Sequence, residues 1–308
     1  MRGGLRWWVY QRERFPLFAN GALVLAFSSS AVCFSRLLRR DLTWPSWQQL
    51  GVAFGTCLLF FLGLRIADEF KDCEEDALYR PYRPVPRGLV TLRELGRIGA
   101  TAALLQLVLA LWLAPRLIIV LLAGWLYLGL MSNEFFAREW LKARPITYLW
   151  THMFIMPIVD LYATACDWIP AGSNLPPRGL PWFLVASFFN GIVIEFGRKI
   201  RAPLDEEVGV QTYSVLWGRR NAVLAWLAMM LVTAVCAARA ASNIHFTGPV
   251  ATTTGTVWVI AFAAGIHFLR RPLPGSGKRF ELISGAWTLL LYGSVGLIPL
   301  GWRLLANG

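Results

Sequence analysis

Charged side chains are scarce in this sequence. Only 16% of its 308 residues are Asp, Glu, Lys or Arg, and 56% are hydrophobic. A soluble domain of this length carries roughly 25% charged residues. The shortage excludes an ordinary soluble domain, and the mean hydropathy of +0.50 predicts an all-α polytopic membrane protein.

Cysteine is also sparse, and signal-peptide features are lacking. The five cysteines stand singly, without CxxC or any metal-ligand spacing, so we expect buried thiols and no disulfide framework. The N-terminal stretch MRGGLRWWVYQRERFP is basic and aromatic. It has no apolar core followed by a small-residue cleavage site, and we interpret it as a segment at the membrane surface.

Nine apolar segments approach the length needed to cross a membrane, which is about 20 residues. They occupy residues 17–35, 46–66, 97–114, 116–131, 146–166, 180–197, 221–240, 251–269 and 282–304. We therefore predict a single transmembrane domain over residues 1–308.

The basic residues are unevenly placed along the chain. If the loops alternate between the two sides of the membrane, 23 of the 30 Lys and Arg residues, Arg2 among them, share the side of the N-terminus. Cytoplasmic loops are enriched in Lys and Arg, so we predict a cytoplasmic N-terminus and a C-terminus on the opposite side. This distribution explains the net charge of +12 without a nucleic-acid partner. The first outer loop, with Arg36, Arg39 and Arg40, is the exception.

The acidic residues concentrate on the same side. Those in the outer half are Asp41, Asp160 and Asp167. The positive-inside rule does not predict such a concentration of acids, whereas a functional site on the cytoplasmic face does.

A regular series of carboxylates follows the second predicted span. Asp68, Asp72 and Asp76 are spaced i, i+4, i+8, which places them on one stripe of a helix, with Glu75 at its edge. Stacked like charges destabilise a helix, and a divalent cation such as Mg²⁺, which takes oxygen ligands, would offset the repulsion. The alternative is a solvated helix end with salt bridges to nearby arginines.

An arginine- and proline-rich loop comes next, with the sequence RPYRPVPRG at residues 80–88. The prolines predict a stiff, extended loop that displays Arg80, Arg83 and Arg87, whose guanidinium groups match phosphate oxygens in pairs. Thr91 and Glu94 form the pattern of a capping box for the next helix. Carboxylates for a metal and arginines for phosphate, at the mouth of an apolar bundle, predict a substrate with a diphosphate head and a lipid tail.

A related pattern returns four spans later. Gly-Leu-Val-Thr at residues 88–91 resembles Gly-Val-Gln-Thr at residues 209–212, and both follow an even-numbered span and a charged loop. This suggests two four-helix units, residues 17–131 and 146–269, with a ninth helix at 282–304. Internal repeats in membrane proteins place binding sites at the interface between the copies.

The segment before the second copy, IEFGRKIRAPLDEE at residues 194–207, is also charged. Glu195 and Lys199 are spaced i, i+4, as are Arg201 and Asp205, and Asn190 lies deeper on the same predicted helix. One interpretation is a second charged side of the site, which faces the aspartate motif. The other is a helix end whose charges pair with one another.

A further polar stripe lies inside the fifth predicted span. Tyr148, His152 and Asp160 recur at helical spacing within a stretch rich in aromatic residues. Ionisable groups inside a span usually face the protein interior. We consider contact with a substrate acceptor, and a helix–helix hydrogen bond is the alternative.

These motifs resemble those of the UbiA superfamily of intramembrane prenyltransferases. The nine spans, the aspartate motif, RPxRPxxxG and the second charged motif all take part, so the resemblance covers essentially the whole chain. It implies a bundle of about nine helices around a central cavity. It also implies that Asp72 and Asp76 occupy the positions of the family's metal-binding aspartates, while Asp68 stands where Asn is usual.

The second motif departs from the family pattern. Members usually carry DxxxD before Gly-x-x-Thr, whereas Asp205 is the single aspartate here and Arg201 stands four residues earlier. The resemblance then implies that Glu195 supplies the missing carboxylate and that Arg198 and Lys199 contact the diphosphate directly. After span four, Ser-Asn-Glu at residues 132–134 replaces the Tyr and Lys that members often carry.

The resemblance implies an Mg²⁺-dependent enzyme that ionises an allylic isoprenyl diphosphate at the cytoplasmic face. The metal and the arginines would neutralise the leaving group. The prenyl group would pass to an aromatic or other lipophilic acceptor. An alternative on the same scaffold is a membrane terpene cyclase, in which the substrate's own double bonds capture the cation. A third possibility is a non-enzymatic lipid transporter or lipid-binding protein.

Overall fold

The computed structural model describes residues 3–307, so Arg2 lies outside the described residues. Between these limits the chain is helical and contains no strand. Its helices are α1 (Gly3–Arg14), α2 (Leu17–Leu38), α3 (Trp47–Lys71), α4 (Cys73–Tyr79), α5 (Leu92–Leu113), α6 (Leu117–Ser132), α7 (Arg138–Lys142), α8 (Pro145–Met153), α9 (Ile155–Trp168), α10 (Leu180–Arg198), α11 (Tyr213–Ser242), α12 (Thr247–Arg270), α13 (Lys278–Val295) and α14 (Leu297–Asn307).

The predicted membrane spans correspond to these helices. Within residues 3–307, eight segments are long and apolar enough to cross a membrane, and α6 is a shorter apolar helix. In this correspondence α8 and α9 together form one span, and so do α13 and α14. The eight long segments and α6 together correspond to the nine predicted crossings. Several helices extend beyond the apolar runs, because their charged terminal turns lie outside the apolar layer and carry no hydropathy signal.

The helices pack in an order that closes the bundle. Helix α2 packs against α3 and α13, α3 against α5, and α5 against α6. Later in the chain α9 packs against α10, α10 against α11, and α11 against α12, while α12 returns to α13. Helix α9 also contacts α2, α3 and α6. The same neighbour order thus occurs in the two predicted units, and the repeat remains our proposal.

The loops that lead into α5 and α11 share two local features. Gly88 and Gly209 both have positive φ, 74° and 77°, which glycine adopts at little cost. Thr91 Oγ1 accepts a hydrogen bond from Glu94 N at 3.3 Å, and Thr91 N donates to Glu94 at 2.9 Å, which is the predicted capping box. Thr212 Oγ1 caps α11 by accepting from Val215 N at 3.2 Å.

Helix α1 lies beside the end of the bundle at which α3 and α10 terminate. This end is called the motif end. Arg6 pairs with Glu94 at 2.6 Å, and Arg14 pairs with Glu69. Tyr10 is buried in a small apolar cluster with α3 and α5 residues. The basic N-terminal stretch and the aspartate motif are therefore on the same side of the bundle.

At the opposite end of the bundle, arginines of the first outer loop pair with a buried acid. Asp167 on α9 is fully buried. It accepts hydrogen bonds from Arg36 Nε at 3.1 Å and from Arg39 Nε at 2.9 Å. Ser35 Oγ donates to the same carboxylate at 2.8 Å. Two of the three arginines that depart from the positive-inside pattern are thus ion-paired within the protein.

Candidate active site

The first motif lies on a helix that is interrupted at Asp72. Helix α3 ends at Lys71 and α4 begins at Cys73, with Asp72 at φ −94° and ψ 6°. The expected stripe is therefore kinked at its middle residue, although Asp72 N still bonds the Asp68 carbonyl at 2.9 Å and Asp76 N bonds the Asp72 carbonyl at 2.8 Å. The interruption places the acids that follow Asp72 in the first turn of a new helix, where the helix dipole stabilises negative charge.

Asp76 is not a free carboxylate. The residue is 2% exposed, and both carboxylate oxygens are bound by guanidinium groups, of Arg80 at 2.9 Å and of Arg83. A buried carboxylate is costly unless it is paired, which is why these arginines turn back onto the motif. Asp76, Arg80 and Arg83 therefore neutralise one another here, and their roles in metal and substrate binding remain predictions.

Asp68 and Asp72 are the more available acids of the motif. Asp68 is partly exposed and has only long contacts, with Arg65 at 3.5 Å and Lys71 at 3.9 Å. Asp72 has no side-chain hydrogen bond or ion pair to any described residue. Burial raises the pKa of the Asp72 carboxyl, despite the nearby Lys71 ammonium. These two carboxylates remain able to bind a cation.

The arginine-rich loop is compact and not extended. Arg83 N bonds the Arg80 carbonyl at 3.0 Å, and Leu89 N bonds the Pro84 carbonyl at 2.9 Å, so the segment forms consecutive turns. The prolines allow this because turns accept their fixed φ. Arg87 points away from the motif and pairs with Glu13 of α1 at 3.0 Å. Its role in substrate binding remains a prediction.

The second motif is an ion-paired helix end. Glu195, in the last turn of α10, pairs with Lys199 at 2.7 Å and with Arg198 at 3.6 Å. Lys199 also lies 5.8 Å from the ring centre of Tyr213. The side chains of Arg198 and Lys199 are 48% and 40% exposed. They can therefore reach a ligand without breaking a buried contact.

Asp205 is not part of this cluster. Its carboxylate accepts a hydrogen bond from Gly275 N at 2.7 Å, which ties the loop after α10 to the loop between α12 and α13. Arg201 pairs with Glu207 at 2.9 Å and reaches only the backbone carbonyl of Asp205. The helical spacing predicted for Arg201 and Asp205 fails because Pro203 opens a short 3₁₀ turn here.

The two motif loops meet over the motif end. Tyr82 OH donates to Glu207 Oε2 at 2.8 Å, and this hydrogen bond lowers the pKa of Glu207. A Cβ atom on Gly209 would collide with the ring of Tyr79, so these loops are in close contact. The aspartate motif and the second charged motif therefore share one end of the bundle, as the sequence interpretation required.

Two candidate site residues, Lys71 and Glu134, were not identified from the sequence. Lys71 Nζ donates to Tyr148 OH at 2.9 Å, and Tyr148 OH donates to Glu134 Oε1 at 3.2 Å. The rings of Tyr148 and His152 stack with centres 3.9 Å apart. Tyr148 therefore contacts the aspartate motif through Lys71, and the contact of Tyr148 and His152 with a substrate acceptor remains a prediction. In the sequence, Glu134 could have been singled out because it is an acidic residue between an apolar helix and two phenylalanines.

Asp160 and Asn190 lie apart from these residues. The predicted stripe breaks at Phe154, between α8 and α9, and Asp160 accepts from Tyr292 OH on α13 at 2.5 Å. Asn190 accepts from Thr288 Oγ1, also on α13, at 3.2 Å. Both side chains are buried. Asp160 therefore makes the helix–helix hydrogen bond considered as the alternative, and the substrate role of Asn190 remains a prediction.

The donor set fits a metal shared with a substrate. Between residues 3 and 307 no three His, Cys, Asp or Glu side chains converge on one point where an ion could sit. Mg²⁺ in phosphate-binding sites is usually held by one or two carboxylates plus phosphate oxygens. Asp68 and Asp72 meet that requirement together with a diphosphate, so a metal cage built from protein alone is not needed.

A separate cavity of about 550 Å³ lies between α1 and the α3–α5 pair. Its walls are almost entirely apolar, with Trp7, Tyr10 and Leu62 among them. It contains none of the charged residues of the two motifs. This cavity therefore does not hold the candidate diphosphate site.

A comparison with known protein families identifies the family of this chain. The model of the UbiA prenyltransferase family matches residues 24–303. The chain belongs to this family. It is an integral, multi-pass membrane protein, and its family places it among intramembrane prenyltransferases. A comparison with curated protein sequences returns no match.

Three solved structures share the UbiA fold with this chain. The apo UbiA homologue from Aeropyrum pernix K1 has a TM-score of 0.66 at 13% identity, over 89% of this chain and 96% of that one. A structure described as digeranylgeranylglyceryl phosphate synthase in membranes has a TM-score of 0.58 at 14% identity, over 92% and 98%. The UbiA homologue from Archaeoglobus fulgidus bound to DMAPP and Mg²⁺ has a TM-score of 0.55 at 13% identity, over 93% and 98%.

Proposed function

We propose that this UbiA family member is an Mg²⁺-dependent prenyltransferase that ionises an allylic isoprenyl diphosphate and transfers the prenyl group to a lipophilic acceptor, aromatic or otherwise. The observation that carries this proposal is the meeting of the two motif loops, through Tyr82 and Glu207 at 2.8 Å, at the end of the bundle where Asp68 and Asp72 remain available. The fold neighbour with DMAPP and Mg²⁺ supports the donor class and the metal.

The acidic and the basic residues of the proposed site have different roles. Asp68 and Asp72 would hold Mg²⁺, which when bound supplies positive charge to the leaving diphosphate. Arg198 and Lys199 extend from the end of α10 with large exposed fractions. Their charges stabilise the diphosphate as the allylic C–O bond breaks and its electron pair moves to oxygen. The second motif thus contributes cations where aspartates are usual in the family.

Transfer rather than hydrolysis requires that water be kept away from the reactive allylic cation. The remaining electron-poor carbon would be attacked by the π or lone-pair electrons of the acceptor. We place this site on the cytoplasmic face, because the loops of the motif end carry most of the basic residues and such loops stay in the cytoplasm.

The reaction class is tested with purified protein in liposomes supplied with Mg²⁺ and farnesyl or geranylgeranyl diphosphate. We expect diphosphate release that depends on an added aromatic acceptor and yields a prenylated product. A cyclic hydrocarbon or alcohol formed without an acceptor would instead establish a terpene cyclase. Absence of diphosphate release under every condition would contradict an enzyme and favour a lipid-binding protein.

The role of Asp72 is tested by Asp72→Asn. We expect turnover to fall about 100- to 1000-fold, because the leaving group loses preorganised charge stabilisation. Glu74→Gln is the matched control, since Glu74 lies two residues away, is exposed and has no role in the proposed site. Equal activity of the two variants would contradict the assignment. Both are compared at equal yield of folded protein in detergent.

A further inference from the structure

The segment after α6 has an unusual backbone. Glu134, Phe135 and Phe136 have φ values of 51°, 52° and 57°. Residues with a Cβ atom rarely adopt this left-handed region, and three in succession are rarer still. Such conformations persist where surrounding structure holds them, often at functional sites. The question is what this turn achieves.

The turn places the carboxylate of Glu134 inside the protein, where the residue is 4% exposed. One oxygen, Oε1, accepts from Tyr148 OH at 3.2 Å and lies 3.6 Å from Lys71 Nζ. The other oxygen, Oε2, has no hydrogen-bond partner among the described residues. A buried carboxylate requires a countercharge, so the source of that charge identifies its role.

His152 is not hydrogen-bonded to Glu134. Its Nε2 lies 3.7 Å from Glu134 Oε2, and an imidazole is a cation only when protonated. Lys71 carries an ammonium and is linked to Glu134 by hydrogen bonds through Tyr148 OH, at 2.9 and 3.2 Å. We therefore take Lys71 as the cation that balances Glu134.

Lys71 lies between two anions. Its ammonium is 3.6 Å from Glu134 Oε1 on one side and 3.9 Å from Asp68 Oδ1 on the other. The hydrogen bond to Tyr148 OH, at 2.9 Å, holds it on the Glu134 side. Without Glu134, the nearest carboxylate for this ammonium is Asp68, which is one of the two proposed metal ligands.

We propose that Glu134, acting through Tyr148 and Lys71, is a positioning residue that keeps the Lys71 ammonium off Asp68. Asp68 is then left available to a divalent cation. This inference rests on the proposed function, since it concerns the metal site of that reaction. Lys71 paired with Asp68 would compete with the cation for the same carboxylate oxygens.

The inference is tested by metal binding and not by turnover. Mn²⁺ binding to the full chain in lipid nanodiscs is measured by electron paramagnetic resonance, with and without inorganic diphosphate. Glu134→Gln is expected to weaken Mn²⁺ binding about 10- to 100-fold, the range seen when groups that orient metal ligands are removed. Glu139→Gln, an exposed acid in the same segment, serves as the control and should bind as the unmodified protein does.

The double variant Glu134→Gln/Lys71→Met separates positioning from a structural role. If Glu134 acts by restraining Lys71, removing the ammonium restores Mn²⁺ binding to at least its original strength. A double variant as weak as Glu134→Gln alone would overturn the proposal, and so would a Glu134→Gln protein that binds normally. If the unmodified protein binds no Mn²⁺ even with diphosphate, the metal site itself is wrong, and the proposed function fails with this inference.

Discussion

The Asp167 carboxylate shows how a single buried charge can join two helices. It lies on α9, is fully buried, and is bound by the guanidinium groups of Arg36 and Arg39 on or beside α2. Arg36 also donates to the backbone carbonyl of Trp44 at 2.9 Å and to Gln49 at 3.1 Å. Removal of the carboxylate leaves the two guanidinium groups with only the partly exposed Asp41, at 3.7 and 3.5 Å, as a shared anion.

The variant Asp167→Asn should therefore be strongly destabilised. We expect the free energy of unfolding to fall by about 3–5 kcal/mol, the range for breaking a buried ion pair from one side. Denaturant unfolding in detergent, followed by tryptophan fluorescence, measures the change. Asp41→Asn is the control, because that side chain is one-third exposed and should lose less than about 1 kcal/mol. Similar losses in both variants would contradict this account of α2 and α9.

The loops that precede α5 and α11 are matched in backbone but not in surroundings. Gly88 and Gly209 have nearly the same positive φ. A Cβ atom on Gly88 would meet no atom within 4 Å, whereas one on Gly209 would collide with Tyr79. The difference allows backbone strain to be separated from the contact between the two motif loops.

Gly88→Ala and Gly209→Ala should accordingly differ in function. Both should lose about 1–2 kcal/mol of stability from the left-handed backbone. Only Gly209→Ala should also displace Tyr79 and raise the KM for the isoprenyl diphosphate, because the loops that cover the site would part. Steady-state kinetics at several diphosphate concentrations measure this. Equal KM values for the two variants would show that the loop contact does not affect substrate binding.

The helix elements were largely predictable, and their ends were not. Apolar runs located the eight long apolar segments found between residues 3 and 307 and the shorter α6, because length and hydropathy are local properties of the chain. The break at Asp72 and the early start of α11 at Tyr213 escaped notice. Capping and charge, not hydropathy, decide such ends. The capping box at Thr91 was recognised because its pattern spans only three residues.

The orientation of the whole bundle in the membrane remains a prediction from charge. The N-terminal helix and both motifs lie at one end, and the ion-paired Arg36 and Arg39 account for two of the basic residues at the other. Arginines already neutralised by a buried acid should weigh little in the positive-inside balance. The motif end is therefore expected in the cytoplasm.

Thiol labelling in intact cells tests this orientation. In a Cys73→Ser background the remaining cysteines are buried. A membrane-impermeant maleimide should label Ala171→Cys, an exposed position beyond α9, and should not label Glu74→Cys at the motif end. Both should react after the cells are permeabilised. Labelling of Glu74→Cys alone in intact cells would reverse the orientation.

The amino-acid sequence alone was enough to establish a membrane protein with about nine spans, the aspartate and arginine motifs, and the resemblance to the UbiA family. Those inferences depend on hydropathy and spacing among residues close in the chain. Only the tertiary structure showed that Asp76 is occupied by arginines, that Asp205 bonds Gly275, and that Glu134 reaches Lys71. A buried charge pairs with whichever partner the packed helices bring nearest. Here those partners come from segments distant in the chain, or from a loop whose turns could not be predicted from residue spacing.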